Sequence, residues 1–198
     1  MSESATPSRL AGVRYGTVPR FDDTRGSFRE LWRASAFGEV PAGDAGATAG
    51  SGVRFTQANL STSAAGVLRG LHLHRHQLDH WIVATGRAFV ALVDVRPMLH
   101  EGAARPLVET REVGADGWVD IPVGVAHGFL ALEPLELIYL VTNEYDGTDE
   151  LGFAWDDPLV AVPWPTLDMT TDGRPILSDR DQSNPSLREL VDRLLGGA

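Results

Sequence analysis

Residues 66–81 read GVLRGLHLHRHQLDHW, and this stretch holds four of the six histidines of the chain, His72, His74, His76 and His80, within nine positions. Gly66 and the Leu-Arg-Gly-Leu run ahead of the histidines suit an extended segment, and on a strand His72 and His74 share one face because side chains alternate. Two imidazoles can therefore converge on one interior point. Two uses follow: metal ligation, which needs neutral imidazole nitrogens, and acid/base chemistry, which needs an imidazole that titrates near neutrality. A histidine on a barrel strand is also often just a hydrogen-bonded interior residue. The surroundings have to decide.

Composition narrows the choice. A chain of 198 residues with 43% apolar and 8% aromatic residues is read as a single domain, 1–198, able to bury a core of its own. It has no cysteine, which excludes disulfides, thiolate ligands and a cysteine nucleophile. A net charge of -10 opposes a nucleic-acid or anionic-membrane partner, since phosphate neutralisation needs a basic face. The opening MSESATPSRLAG lacks the apolar core of a signal peptide, and no run approaches the roughly 18 apolar residues of a span. A cytoplasmic location is expected.

Outward from the histidines, the chain reads as strands. The segments 53–60, 87–96, 118–123, 128–133 and 135–143 are short and aliphatic or aromatic, and Gly, Pro and Asp separate them. The spacing predicts an all-β sandwich or barrel. In RAFVALVDVR (87–96), Phe89, Ala91, Val93 and Val95 fall on one face, with Asp94 and Arg96 on the other, which predicts a strand with unlike faces. The Gly/Ala-rich stretch 34–52 is read as a mobile insertion without chemistry. Near the end, SNPSLRELVDRLL predicts a packing helix with Asn184 as cap, Pro185 in the first position, and Leu187, Leu190, Val191 and Leu194 on one face.

A second histidine-bearing motif, Pro122-x-Gly124-x-x-His127, brings a third imidazole from a neighbouring strand. Together with Gly66, His72-x-His74, Asp79 and Gly86, it resembles the two cupin motifs. The resemblance implies a double-stranded β-helix, or jelly-roll, barrel with a short C-terminal helical segment. In metal-binding cupins the matching positions, here His72, His74, Asp79 and His127, hold a divalent metal. This chain carries Asp79 where that pattern prefers Glu, and Ala131 where it has Asn.

Seven further blocks, in order, carry a closer resemblance: FDDTRGSFREL (21–31), FTQANLSTSAAGVLRGLH (55–72), IPVGVAHGFLAL (121–132), LIYLVTNEY (137–145), FAWDDP (153–158), VPWP (162–165) and ILSDRD (176–181). Together they resemble the dTDP-4-dehydrorhamnose 3,5-epimerase family, cupin-fold enzymes of deoxysugar biosynthesis. The resemblance implies a homodimer, no metal or other cofactor, and a dTDP-linked 4-keto-6-deoxy sugar as substrate. Such a ketone acidifies the hydrogens on carbons 3 and 5, and inversion needs a base on one face and an acid on the other. By the same resemblance His72 is the base, Asp181 its partner and Tyr139 the acid of the opposite face. A phenol suits that last task because it stays protonated at neutral pH. His127 is expected to line the pocket and Tyr145 to lie against the nucleotide or sugar. Arg69 is expected to meet the diphosphate, while Arg25, Phe28 and Glu30 approach the dTDP moiety, partly from the neighbouring subunit.

Geometry adds two expectations. Gln57 and Asn59 share a strand face and can reach the ligand. Arg69 and His72 have opposite parity, so both can face inward only if a bulge intervenes, and Gly70 is the place for it. The family pattern then departs: His74 replaces a glutamine, and the position of a lysine that holds the developing enolate falls on His80 or Asp79. His74 and His80 are accordingly read as substrate contacts, and the product as inverted at carbon 3, carbon 5 or both. Two other readings stay open: a metal-dependent oxygenase or isomerase on His72, His74, Asp79 and His127, and a non-catalytic sugar-nucleotide binding protein. Tyr139 as a core aromatic and Asp181 as a turn cap are the plain structural alternatives.

Overall fold

The computed structural model describes residues 6–33, 53–166, 168, 170 and 173–196; the stretch 34–52 lies outside them. The strands are β1 (Thr6–Pro7), β2 (Arg14–Thr17), β3 (Arg20–Asp23), β4 (Gly26–Arg29), β5 (Gln57–Ser63), β6 (Leu68–Leu73), β7 (Asp79–Thr85), β8 (Arg87–Asp94), β9 (Leu107–Gly114), β10 (Gly117–Ile121), β11 (Val125–Ala131), β12 (Leu135–Val141) and β13 (Leu151–Gly152). Three short helices join them: α1 (Arg96–His100), α2 (Asp179–Gln182) and α3 (Leu187–Gly196). Two antiparallel sheets face each other. One runs β1-β2-β10-β7-β12-β5, the other β13-β6-β11-β8-β9, and β3-β4 forms a separate hairpin. This is the jelly-roll barrel of the cupins, with its short helical C-terminal segment.

The core between the sheets is built from alternate residues of each strand. Tyr15, Trp81, Val83, Val119 and Leu137 of the first sheet meet Val90, Leu92 and Phe129 of the second. Sharp punctuation sets the strand ends. At the β7-β8 turn Gly86 has φ 80°, and a Cβ there would lie 2.2 Å from the carbonyl oxygen of Pro134, so no side chain fits.

The sequence expectation for residues 87–96 needs correction. The strand β8 is buried on both faces: Ala88, Val90 and Leu92 point into the barrel, while Ala91, Val93 and Val95 pack outside it against Met98 of α1 and Leu187, Leu190 and Val191 of α3. Asp94 is buried too, paired with Arg96 at 2.7 Å. A covering layer of helices thus removes the polar face that alternation suggested. In α3 the cap is also two residues later than expected. Ser186, not Asn184, completes a capping box with Glu189, the Ser186 N–H donating to Glu189 Oε2 at 2.8 Å and the Glu189 N–H to Ser186 Oγ at 3.3 Å. Burial of three aliphatic side chains, at about 1.5–3 kcal/mol each, outweighs a cap of about 1 kcal/mol. Packing therefore holds this helix.

Candidate active site

The candidate residues gather on the barrel interior, where the pairing of β6 and β11 is irregular. His72 stands opposite His127, yet Arg69 stands opposite Phe129, so three steps on β6 match two on β11. The expected bulge is present. Gly70 absorbs it with φ 116°, and a Cβ there would meet Gly128 Cα and His127 O, each at 2.7 Å. Because Phe129 belongs to the interior core, both Arg69 and His72 face the same side despite their opposite parity.

His72 donates from Nε2 to Asp181 Oδ1 at 2.8 Å, which leaves the lone pair on Nδ1. Asp181 arrives from α2, where Ser178 caps the helix by accepting the Asp181 N–H at 3.1 Å. Burial works against ionisation of this carboxyl, but the His72 bond and charge, with Ser178 and the Gly70 N–H, outweigh it and hold its pKa below the usual value. The His72 side chain is 25% exposed and that of Asp181 5%. The pair is anchored inside and open at the imidazole.

Beside it sits a cluster of aromatic and polar groups. The rings of His74 and His127 are 5.3 Å apart, and Trp81 meets His127 edge-on at 5.1 Å. His127 Nε2 lies 3.6 Å from Asp79 Oδ2. Burial, only partly offset by Asp79, pushes the His127 pKa down to about 4, so this imidazole is neutral at physiological pH. On the wall formed by β12, β5 and β7, Tyr139 pairs across the strands with Asn59 and Trp81. Its phenol is raised by burial, then by Asp79 and Glu150, against a lowering by Arg69. Tyr139 therefore shares the field of the same interior groups and stays protonated.

Gln57 and Asn59 share this face. The Gln57 amide donates to Asn59 Oδ1 at 2.8 Å and its carbonyl accepts the Tyr145 N–H at 2.8 Å, which ties the β12 end to the pocket wall. Tyr145 itself is exposed at the rim. Arg69 extends its guanidinium toward Ser63 Oγ and Thr62 O, at 3.1 and 3.2 Å.

The chain matches the family described as dTDP-4-dehydrorhamnose 3,5-epimerase over residues 7–189. It belongs to that family. A dTDP-4-dehydrorhamnose 3,5-epimerase of Sinorhizobium fredii is 36% identical over 189 residues, 91% of this chain and 88% of the relative. A dTDP-4-dehydrorhamnose 3-epimerase of Streptomyces niveus is 32% identical over 94% of this chain and 84% of its own length. The structure of a dTDP-6-deoxy-D-glucose 3,5-epimerase from Legionella pneumophila, in complex with dTDP-4-keto-L-rhamnose, superposes with a TM-score of 0.79 at 26% identity, covering 98% of this chain and 97% of that one.

Two expectations change. His80 is not a pocket residue. Asp79 and Trp81 face the barrel interior, so their neighbour His80 faces outward; it binds Asp120 through Nδ1 at 2.6 Å and stacks near Phe55 and Trp118. Asp79 is the residue that enters the pocket. Arg25, Phe28 and Glu30 sit on or beside the exposed β3-β4 hairpin, where Arg25 pairs with Asp23 and Glu30 with Arg33, each at 2.5 Å. Second, His72 does not join a four-ligand metal set. Among the described residues the groups close enough for one are His74, Asp79 and His127, while His72 is committed to Asp181. No signal in the sequence pointed to Asp149, whose carbonyl oxygen accepts from His74 Nδ1 at 2.6 Å and whose carboxylate takes the N–H groups of Arg75 and His76. It lies 75 positions from His74, and only the closed fold brings it there. Among the described residues no helix is long and apolar enough to cross a membrane.

Proposed function

We propose that this protein inverts carbon 3, carbon 5 or both of a dTDP-linked 4-keto-6-deoxyhexose by proton abstraction and return on the opposite face. The observation that carries the reading is the His72-Asp181 pair, 2.8 Å apart, with its imidazole open to an interior that Tyr139 shares. His72 Nδ1 takes the hydrogen beside the ketone, and the C–H electron pair becomes the enolate. Asp181 favours the imidazolium that forms, and Tyr139 supplies a proton to the other face. Arg69, Gln57, Asn59 and Tyr145 lie where the diphosphate and nucleotide would enter, with His74 and His127 against the sugar.

The hairpin bearing Arg25, Phe28 and Glu30 supports a homodimer in which it reaches the nucleotide end of the neighbouring pocket. Phe21 and Phe28 stack at 6.4 Å yet are 52% and 67% exposed, and Leu60 on the outer face of β5 is 63% exposed. Apolar side chains this exposed on adjoining surface suit a covering partner. A charged sugar nucleotide does not cross membranes unaided, which supports a cytoplasmic reaction.

The test is a proton spectrum of dTDP-4-keto-6-deoxyglucose in heavy water with the enzyme. The hydrogens at carbons 3 and 5 should wash out, and loss at one carbon alone assigns a single inversion. No exchange with any such sugar nucleotide would overturn the reading, and tight binding without exchange would make the protein a carrier. Tyr139→Phe should retain exchange while inversion falls by roughly 10²-fold, because the base remains and the opposite-face acid does not.

A further inference from the structure

We propose that the substrate is an amino sugar: a dTDP-linked 4-keto-6-deoxyhexose with a primary amine on its ring, whose ammonium is held by His74, Asp79 and His127. The nucleotide and the ketone rest on the epimerase reading; the amine rests on the hydrogen-bond roles of these three side chains. One nitrogen or carboxylate oxygen from each lies within 4.8 Å of the others, and the residues are 8%, 3% and 4% exposed. His127 stands opposite His72 across β6 and β11, so an amine seated there belongs to the same ring as the hydrogen that His72 removes.

All three groups present acceptors to one another. His74 donates from Nδ1 to the carbonyl of Asp149 at 2.6 Å, and His127 from Nδ1 to the carbonyl of Val125 at 3.2 Å. A carbonyl can only accept, so each neutral ring keeps its lone pair on Nε2. His127 Nε2 then faces Asp79 Oδ2 at 3.6 Å with no proton between them. The donors to Asp79 are neutral: Gln77 Nε2 at 2.8 Å and Trp81 Nε1 at 3.1 Å. Among the described residues no arginine forms an ion pair with this carboxylate, and the chain contains no lysine. A buried carboxylate without a cation is costly, and the protein supplies none. A sugar hydroxyl offers one donor and a water two, whereas a primary ammonium offers three and a full positive charge. Acceptors about 2.9 Å from one ammonium nitrogen at tetrahedral angles stand roughly 4.7 Å apart, which fits the outer spacing of the cluster. Three converging acceptors, one of them charged, therefore suit an amine better than the hydroxyl of an ordinary deoxyhexose.

The experiment titrates two stable 4-hydroxy analogues, dTDP-6-deoxyglucose and dTDP-3-amino-3,6-dideoxyglucose, into the full chain by calorimetry at neutral pH. The amino analogue is expected to bind roughly 10- to 100-fold tighter, the worth of a charge-assisted bond. Asp79→Asn should erase that preference and His74→Gln reduce it, each still binding dTDP alone as the parent does, while His72→Asn keeps the preference. Equal or weaker binding of the amino analogue by the parent protein would overturn the subsite, as would an undiminished preference in either folded variant. Solvent deuterium exchange into dTDP-4-keto-6-deoxyglucose and its 3-amino counterpart tests the epimerase reading separately. An amino preference in binding without exchange in either ketone supports the subsite and sinks the epimerase reading. Exchange without an amino preference does the reverse, and binding of neither analogue overturns both.

Discussion

Two histidine-aspartate pairs are built into this barrel, and their local chemistry is nearly the same. His72 Nε2 is 2.8 Å from Asp181 and His80 Nδ1 is 2.6 Å from Asp120. Their surroundings differ: the His72 side chain is 25% exposed on the interior pocket, and the His80 side chain is 2% exposed on the outer face, where Arg14 adds a second bond to Asp120 at 2.7 Å. A pair that can move a proton needs an open imidazole and room for a substrate. A sealed pair can only hold parts of the fold together. The contrast teaches that a histidine-carboxylate pair is not a function until its free nitrogen has somewhere to act.

The contrast breaks or sharpens under four changes. The largest effect is expected from His72→Asn, which should cut solvent exchange and turnover by roughly 10³-fold while leaving the melting temperature close to that of the parent. Kinetics of both proteins by proton spectroscopy, beside calorimetry, check this. Gly70→Ala comes next. A positive φ and two backbone contacts at 2.7 Å should cost about 2 kcal/mol or more and, by disturbing the bulge, lower activity as well; chemical denaturation reads the first and turnover the second.

His80→Leu is the mirror of the first change. It should cost about 1–3 kcal/mol, since Asp120 loses one buried partner and keeps Arg14, with turnover per folded molecule unchanged. A turnover loss equal to that of His72→Asn would erase the distinction between the pairs. The smallest effect is on acid stability. The folded pKa of Asp181 lies below its ordinary value of 3.8, so its contribution is complete above that value and is lost as pH falls through the lower folded one. Asp181→Asn should therefore show a shallower decline of melting temperature with falling pH, the two proteins converging at the acid end.

Legibility followed the same line between faces. Alternation put Asp79 and His80 on opposite faces of β7, but that strand is buried on both sides from Asp79 to Val83. Its hydrophobic pattern therefore carried no sign of which face was the interior, and the pocket position was split between the two residues. Strand β8 misled for the same reason, because helices cover its outer face. Arg69 and His72 were the opposite case. Their parity conflict, with a glycine between them, was visible in the sequence, and the bulge that resolves it is a local event. Asp149 was invisible because a loop residue that presents a backbone carbonyl leaves no mark in residue type.

By itself, the sequence determined the jelly-roll class, the histidines of the pocket strand, the glycine-centred bulge and the family. These rest on short-range rules: alternation, turn chemistry and motif spacing act within a few residues. Only the tertiary structure decided which face of a doubly buried strand looks inward, which carboxylate meets which histidine, and that His74, Asp79 and His127 share one point. Those outcomes depend on how two sheets and their covering helices close on each other, and that closure joins residues many tens of positions apart.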